Sequence, residues 1–136
     1  MNVKRVVEIR VPSCLGYEKI PIAAGAIIAE KMGFSSERID GLKTSVGEAV
    51  ANAIEHGNQS IVDAMVIIKF TIQEKSLAVD IIDQGLQPIP EIPPERAERG
   101  DHRGWGMVWL QDFMDEIQVL ARPGRNELHM IIYLER

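Results

Sequence analysis

Glu48 and Asn52 stand four residues apart in Glu48-Ala49-Val50-Ala51-Asn52-Ala53-Ile54-Glu55-His56-Gly57, and a carboxylate and a carboxamide at that spacing can handle a metal-bound phosphate. On a helix such residues lie one above the other, with roughly 5–6 Å between Cβ atoms. The Asn52 carboxamide is a neutral oxygen ligand of the kind that suits Mg²⁺, an ion that takes few protein ligands and keeps phosphate and water oxygens in its octahedral shell. Taken alone, Glu-x-x-x-Asn is usually a solvated helix face. Two later segments change its meaning. An apolar run, Ser76 to Ile82, ends in Asp83-Gln84-Gly85, and Asp83 has the parity of Leu77, Val79 and Ile81. That parity points its carboxylate toward the helix layer, where an acceptor without a donor is costly and a ligand is a natural partner. Further on, Arg103-Gly104-Trp105-Gly106 opens an apolar helix. Glycines there let the backbone approach a phosphate, and a helix N-terminus supplies N–H groups and positive dipole. Arg103, and after it Arg99 or His102, could offset phosphate charge, while Trp105 reads as packing.

The helix that must carry the first pair is well marked. Ile39, Leu42, Val46, Ala49, Val50 and Ala53 recur at steps of three and four on the face opposite Glu48 and Asn52, so one side is core and the other is a candidate site. Ser35 or Ser36 can cap it, Glu37 suits its positive end, and Gly57 is placed to end it. An earlier helix is expected from about Tyr17 to Met32, closing at Gly33. Val3 to Val11 alternates Val7, Ile9 and Val11 with Glu8 and Arg10 and reads as a strand with one wet face. In the segment 62–73, Val62, Ala64, Val66, Ile68, Phe70 and Ile72 share one parity and predict a long strand with that face in the core, Lys69, Thr71 and Gln73 lying on the other. Glu74-Lys75 turns into a strand over 76–83, and Arg122 to Asn126 turns between strands near 116–121 and 127–134. The expected fold is α+β: a two-layer sandwich with a mostly antiparallel mixed sheet, one face polar, and the helices on the other.

Composition narrows the function classes. At 136 residues and 46% hydrophobic content, the chain is expected to form a single compact domain over 1–136. A net charge of -5 argues against non-specific nucleic-acid binding, which needs a basic face, and makes a protein the expected partner. One cysteine, Cys14, allows no intrachain disulfide and fits a reducing compartment. The apolar run Ile20 to Ala29 carries Pro21 and Gly25 and falls short of the ~20 residues that span a bilayer, so no membrane segment is expected.

Taken in order and at these spacings, the Glu48 to Asn52 box with its Glu55-His56 tail, the Asp83-x-Gly85 box, the Gly104-x-Gly106 box and the run Phe113-Met114-Asp115-Glu116 resemble the histidine-kinase-like (GHKL) ATPase superfamily. Within it, they resemble the small anti-sigma-factor serine/threonine kinases. The resemblance implies the Bergerat ATP-binding fold, ATP and Mg²⁺ as cofactors, and a cytoplasmic location. It implies Glu48 as catalytic base, Asn52 as metal residue, and Asp83 as the reader of the adenine amino group. Gly85, Arg103, Gly104 and Gly106 complete the nucleotide-binding set. The Pro-rich segment from about 86 to 103 would be the ATP lid, and it departs from the family where a second glycine is common and this chain has Gln87 followed by Pro88. His56 and His129 read as structural. A complete sensor histidine kinase is not expected at this length, nor are the transducer domains of gyrase-like relatives. The implied activity is phosphorylation of a Ser or Thr on an anti-sigma-factor antagonist, with a sigma factor as second partner. Homodimers are common among the resembling kinases, and nothing in this chain's own pattern demonstrates one. Two alternatives stand beside this reading: a switch kinase of the same fold that binds no sigma factor, and a non-catalytic module that holds nucleotide and binds a partner.

Overall fold

A computed structural model describes residues 4–86 and 110–135. Five strands, β1 (Arg5–Val11), β2 (Val66–Ile72), β3 (Ser76–Asp83), β4 (Glu116–Arg122) and β5 (Arg125–Tyr133), form one sheet in the order β1-β2-β3-β5-β4. All four pairings are antiparallel. Helices α1 (Lys19–Met32) and α2 (Ser36–Asn52) join Phe70, Val79 and Met130 in one buried cluster through Ile28, Ala29, Leu42, Val46 and Val50. These helices therefore cover the face that the strand parity marks as apolar. Complete burial of side chains such as Leu42, Val46 and Phe70 contributes roughly 1.5–3 kcal/mol each before the entropy of ordering them is counted. The opposite face carries Lys69, Asp80 and His129 in one cross-strand row. His129 Nδ1 lies 2.6 Å from Asp80 Oδ1, which agrees with a structural His129. That face is less polar than expected, because Ile67 and Ile82 sit opposite each other on it.

Ser35 caps α2, accepting from the Arg38 N–H at 3.2 Å, and Arg38 in turn reaches Asp115 Oδ2 at 2.6 Å, tying the start of α2 to the entry of β4. Three boundaries differ from expectation. The first helix begins at Lys19, with a turn over residues 15–18. The strand expected over 62–73 begins only at Val66, and Val62 is 57% exposed. β1 ends at Val11, opposite Val66, and the carbonyls of Ala64 and Met65 are taken by the Asn58 side chain, so 62–65 have no ladder to join. The turn expected over Arg122 to Asn126 contracts to Pro123-Gly124, since Arg122 and Arg125 already pair. Asn126 thus moves into β5, where it faces Asp83.

Candidate functional site

Glu48 and Asn52 both project from α2, one turn apart and half-buried, on the side away from the Leu42, Val46 and Val50 stripe. Immediately after Asn52 the winding changes. Residues Ala53–Gly57 form a π-helical turn, with the Asn58 N–H bonded to the Ala53 carbonyl at 2.8 Å, a widening that recurs at functional sites. Gly57 ends the helix for a reason other than a left-handed cap. It is absent from the positive-φ residues, and a Cβ built on it would lie 2.1 Å from Asp83 Oδ2. The end of the helix therefore abuts the carboxylate at the end of β3, and only a residue without a side chain allows that approach.

Asp83 is 6% exposed, as its parity predicts. Its Oδ1 accepts from the Gly85 N–H at 2.7 Å and from Asn126 Nδ2 at 3.0 Å. Oδ2 accepts no hydrogen bond among the described residues and faces Gly57. Gly85 adopts φ 66°, and a Cβ there would meet the Arg125 backbone nitrogen at 2.7 Å, so the turn after β3 needs glycine twice over. An acceptor oxygen held at a core edge, with its other oxygen already satisfied, is suited to an amino group of a ligand. Gly57→Ala is expected to lower stability by about 1–3 kcal/mol through overpacking and to weaken nucleotide binding with it. Thermal melts and ATP titration of that variant check both.

Burial pushes the carboxyls of both Glu48 and Asp83 above their ordinary values. For Glu48 the Glu55 charge adds to the effect. For Asp83 the Gly85 and Asn126 donors oppose it in part. Both folded-state values being raised, the folded chain binds protons more readily than the unfolded one. The stability these two groups contribute is full below their ordinary values of 3.8 and 4.5 and is lost as pH rises through the raised values. A base at Glu48 must be ionised, so the acidic limb of a pH–rate profile is expected above 4.5. Glu55→Gln should move that limb down, by less than burial moved it up, because Glu55 is exposed and its charge is screened. A limb that stays fixed would separate Glu55 from the proton that matters.

The structure places Glu48 and Asn52 on one face of α2, and Asp83 and Gly85 beside the π-helical turn that follows it. Arg103, Gly104, Gly106, Arg99, His102, Trp105 and all of the expected lid after Leu86 lie outside the described residues. Among the described residues no group of three or more His, Cys, Asp or Glu forms a metal cluster, and none of the helices is long and apolar enough to cross a membrane. A metal held by one carboxamide and the oxygens of its own nucleotide fits this donor set. Sequence reasoning missed three contributors: Gly57 as the contact of Asp83, Asn126 as its donor, and Asn58. The Asp83 to Asn126 pairing joins strands that are not consecutive in the chain, so no turn in the sequence sets its register.

The sequence model of a family described as the histidine kinase-like ATPase domain matches residues 20–132. The chain is similar to a protein named serine-protein kinase RsbW from Oceanobacillus iheyensis, with 30% identity over 127 residues, 87% of this chain and 80% of that protein. It is similar to proteins named anti-sigma F factor from Halalkalibacterium halodurans, 30% identical and covering 75% of this chain and 73% of that one, and from Thermoanaerobacter sp., 32% identical and covering 76% and 75%. Among solved structures, that of the RsbU and RsbW domains of a Mycobacterium tuberculosis protein matches with a TM-score of 0.70 at 15% identity, over 94% of this chain and 32% of that one. That likeness shows the fold.

Proposed function

We propose that this chain, which belongs to the histidine kinase-like ATPase domain family, is a Mg-ATP-dependent serine/threonine protein kinase. Its proposed substrate is an anti-sigma-factor antagonist, and it acts as an anti-sigma factor by holding a sigma factor when that antagonist is absent. The observation that carries this reading is the buried Asp83 carboxylate seated against Gly57 at the end of the helix that carries Glu48 and Asn52. Purine recognition and phosphate chemistry then fall at two ends of one short span. The names of the similar proteins, a serine-protein kinase and anti-sigma F factors, favour this branch of the family.

The proposed roles follow from the positions. Asp83 Oδ2 accepts from the adenine amino group, while Gly85 keeps the turn beside it tight. Asn52 would hold Mg²⁺ through its carboxamide oxygen, and the ion would supply positive charge at the phosphate oxygens. Glu48, one turn earlier and half-buried, takes the proton from the incoming Ser or Thr hydroxyl. Arg103, Gly104 and Gly106 are assigned to the phosphates from the sequence, and residues from about 86 to 103 to the lid. Residues 1–136 are read as one such domain. A homodimer is part of the proposal, and the cytoplasm is its setting, with Cys14 free and exposed.

The test is transfer. Incubated with Mg²⁺ and ATP labelled at the γ-phosphate, the protein should label a Ser or Thr of an antagonist from the same genome. It should retain a sigma factor on a column when that antagonist is left out. ATP binding with no transfer to any such antagonist would favour the non-catalytic module.

A further inference from the structure

We propose that Asn58 is a positioning residue for the adenine end of this site, fixing the backbone that presents Asp83; the proposal rests on the nucleotide-binding reading above. Asn58 is completely buried, and both ends of its carboxamide are engaged. Nδ2 lies 3.0 Å from Ser13 Oγ, 3.1 Å from the Ala64 carbonyl and 3.2 Å from the Met65 carbonyl. Oδ1 accepts from the Gln84 N–H at 2.7 Å. The neighbouring Gly57 carbonyl accepts from the Leu86 N–H at 2.9 Å.

Three consecutive N–H groups after β3 are thus held in different ways. Those of Gln84 and Leu86 are gripped by Asn58, which caps the π-helical turn, and Gly57, which ends it, and that of Gly85 by Asp83 itself. The turn cannot swing without breaking a bond to the same helix end that carries Asn52. Asparagine fits this place because one neutral group must donate to carbonyls on one side and accept from an amide on the other. Ser13 offers a control within the same cluster. It is 1% exposed and its hydroxyl donates to the Ala64 carbonyl, but it has no bond to Gln84.

The experiment compares the full chain with Asn58→Ala, Asn58→Asp and Ser13→Ala by thermal melting, ATP titration and hydrogen exchange at the Gln84 and Leu86 amides. Loss of one buried hydrogen bond to the turn should weaken ATP binding by about tenfold in Asn58→Ala and speed exchange at Gln84. Ser13→Ala should lower Tm while ATP affinity stays within about twofold, since only the structural arm is lost. Asn58→Asp keeps an acceptor for Gln84 and should hold more ATP affinity than Asn58→Ala even with a lower Tm. It carries the test alone if the alanine variant does not fold. Equal loss of ATP affinity in Ser13→Ala and the Asn58 variants would reduce Asn58 to a stability residue and overturn the proposal. So would folded Asn58 variants with unchanged affinity and exchange. Wild-type protein that binds no ATP would instead overturn the nucleotide reading and the proposal with it, a result distinct from binding that Asn58 does not affect.

Discussion

Glu48→Gln is expected to bind Mg-ATP within about twofold of the parent while transferring phosphate roughly 10²–10⁴-fold more slowly, the range that a positioned general base contributes. The substitution keeps the size of the side chain and its place one turn before Asn52, so the metal and phosphate end of the site is left intact. It removes only the capacity to take a proton. Burial, with the Glu55 charge added, holds the Glu48 carboxyl above its ordinary value, closer to the pH at which a base works best, and glutamine has no equivalent. Binding by titration and transfer by γ-phosphate labelling of the antagonist read the two effects separately. Transfer at the parent rate would remove Glu48 from the chemistry. Loss of binding in step with transfer would make it a nucleotide contact.

Asp83→Asn should produce the opposite split. The new side chain can keep a carbonyl oxygen where Gly85 and Asn126 donate, and it puts an NH₂ group where Oδ2 faces Gly57. A donor would then meet the adenine amino group. Losing a hydrogen bond to a charged acceptor should weaken ATP binding by roughly 10- to 10²-fold. Stability should respond in the other direction. With its carboxyl raised by burial, the ionised Asp83 is a cost to the folded state above the ordinary value of 3.8. Neutral Asn removes that cost, so Tm near neutral pH should hold or rise, and the fall in stability with rising pH should flatten. A variant that binds ATP normally would show that Oδ2 does not face the base. One that loses both binding and Tm would show that Asp83 is needed first for the fold.

Much of the fold that surrounds this candidate site is legible in the sequence. The stripe of Leu42, Val46 and Val50 puts Glu48 and Asn52 on the opposite side of α2, and strand parity puts Asp83 in the core, because helix and strand periodicities are local and survive in the sequence. Local signals did not carry the rest. The π-helical winding of Ala53–Gly57 has no distinctive composition. The need for glycine at 57 comes from a carboxylate 26 positions later, so a residue that looked like an ordinary helix stop is in fact a contact surface. Asn58 follows a glycine and reads as loop. Its burial is created by Ser13, Ala64 and Gln84, which only the closed sheet assembles. The false early start of β2 has the same origin: alternation at Val62 and Ala64 mimics a strand, while pairing with β1 decides where the ladder begins.

Whether the end of α2 and the turn after β3 form one Mg-nucleotide site is decided most directly by a calorimetric titration. Parent protein and Asn52→Ala are titrated with ATP, with and without Mg²⁺. Binding by the parent should strengthen with Mg²⁺, and that strengthening should be lost in Asn52→Ala. No binding at millimolar nucleotide, or identical Mg²⁺-dependent binding in the variant, would contradict it.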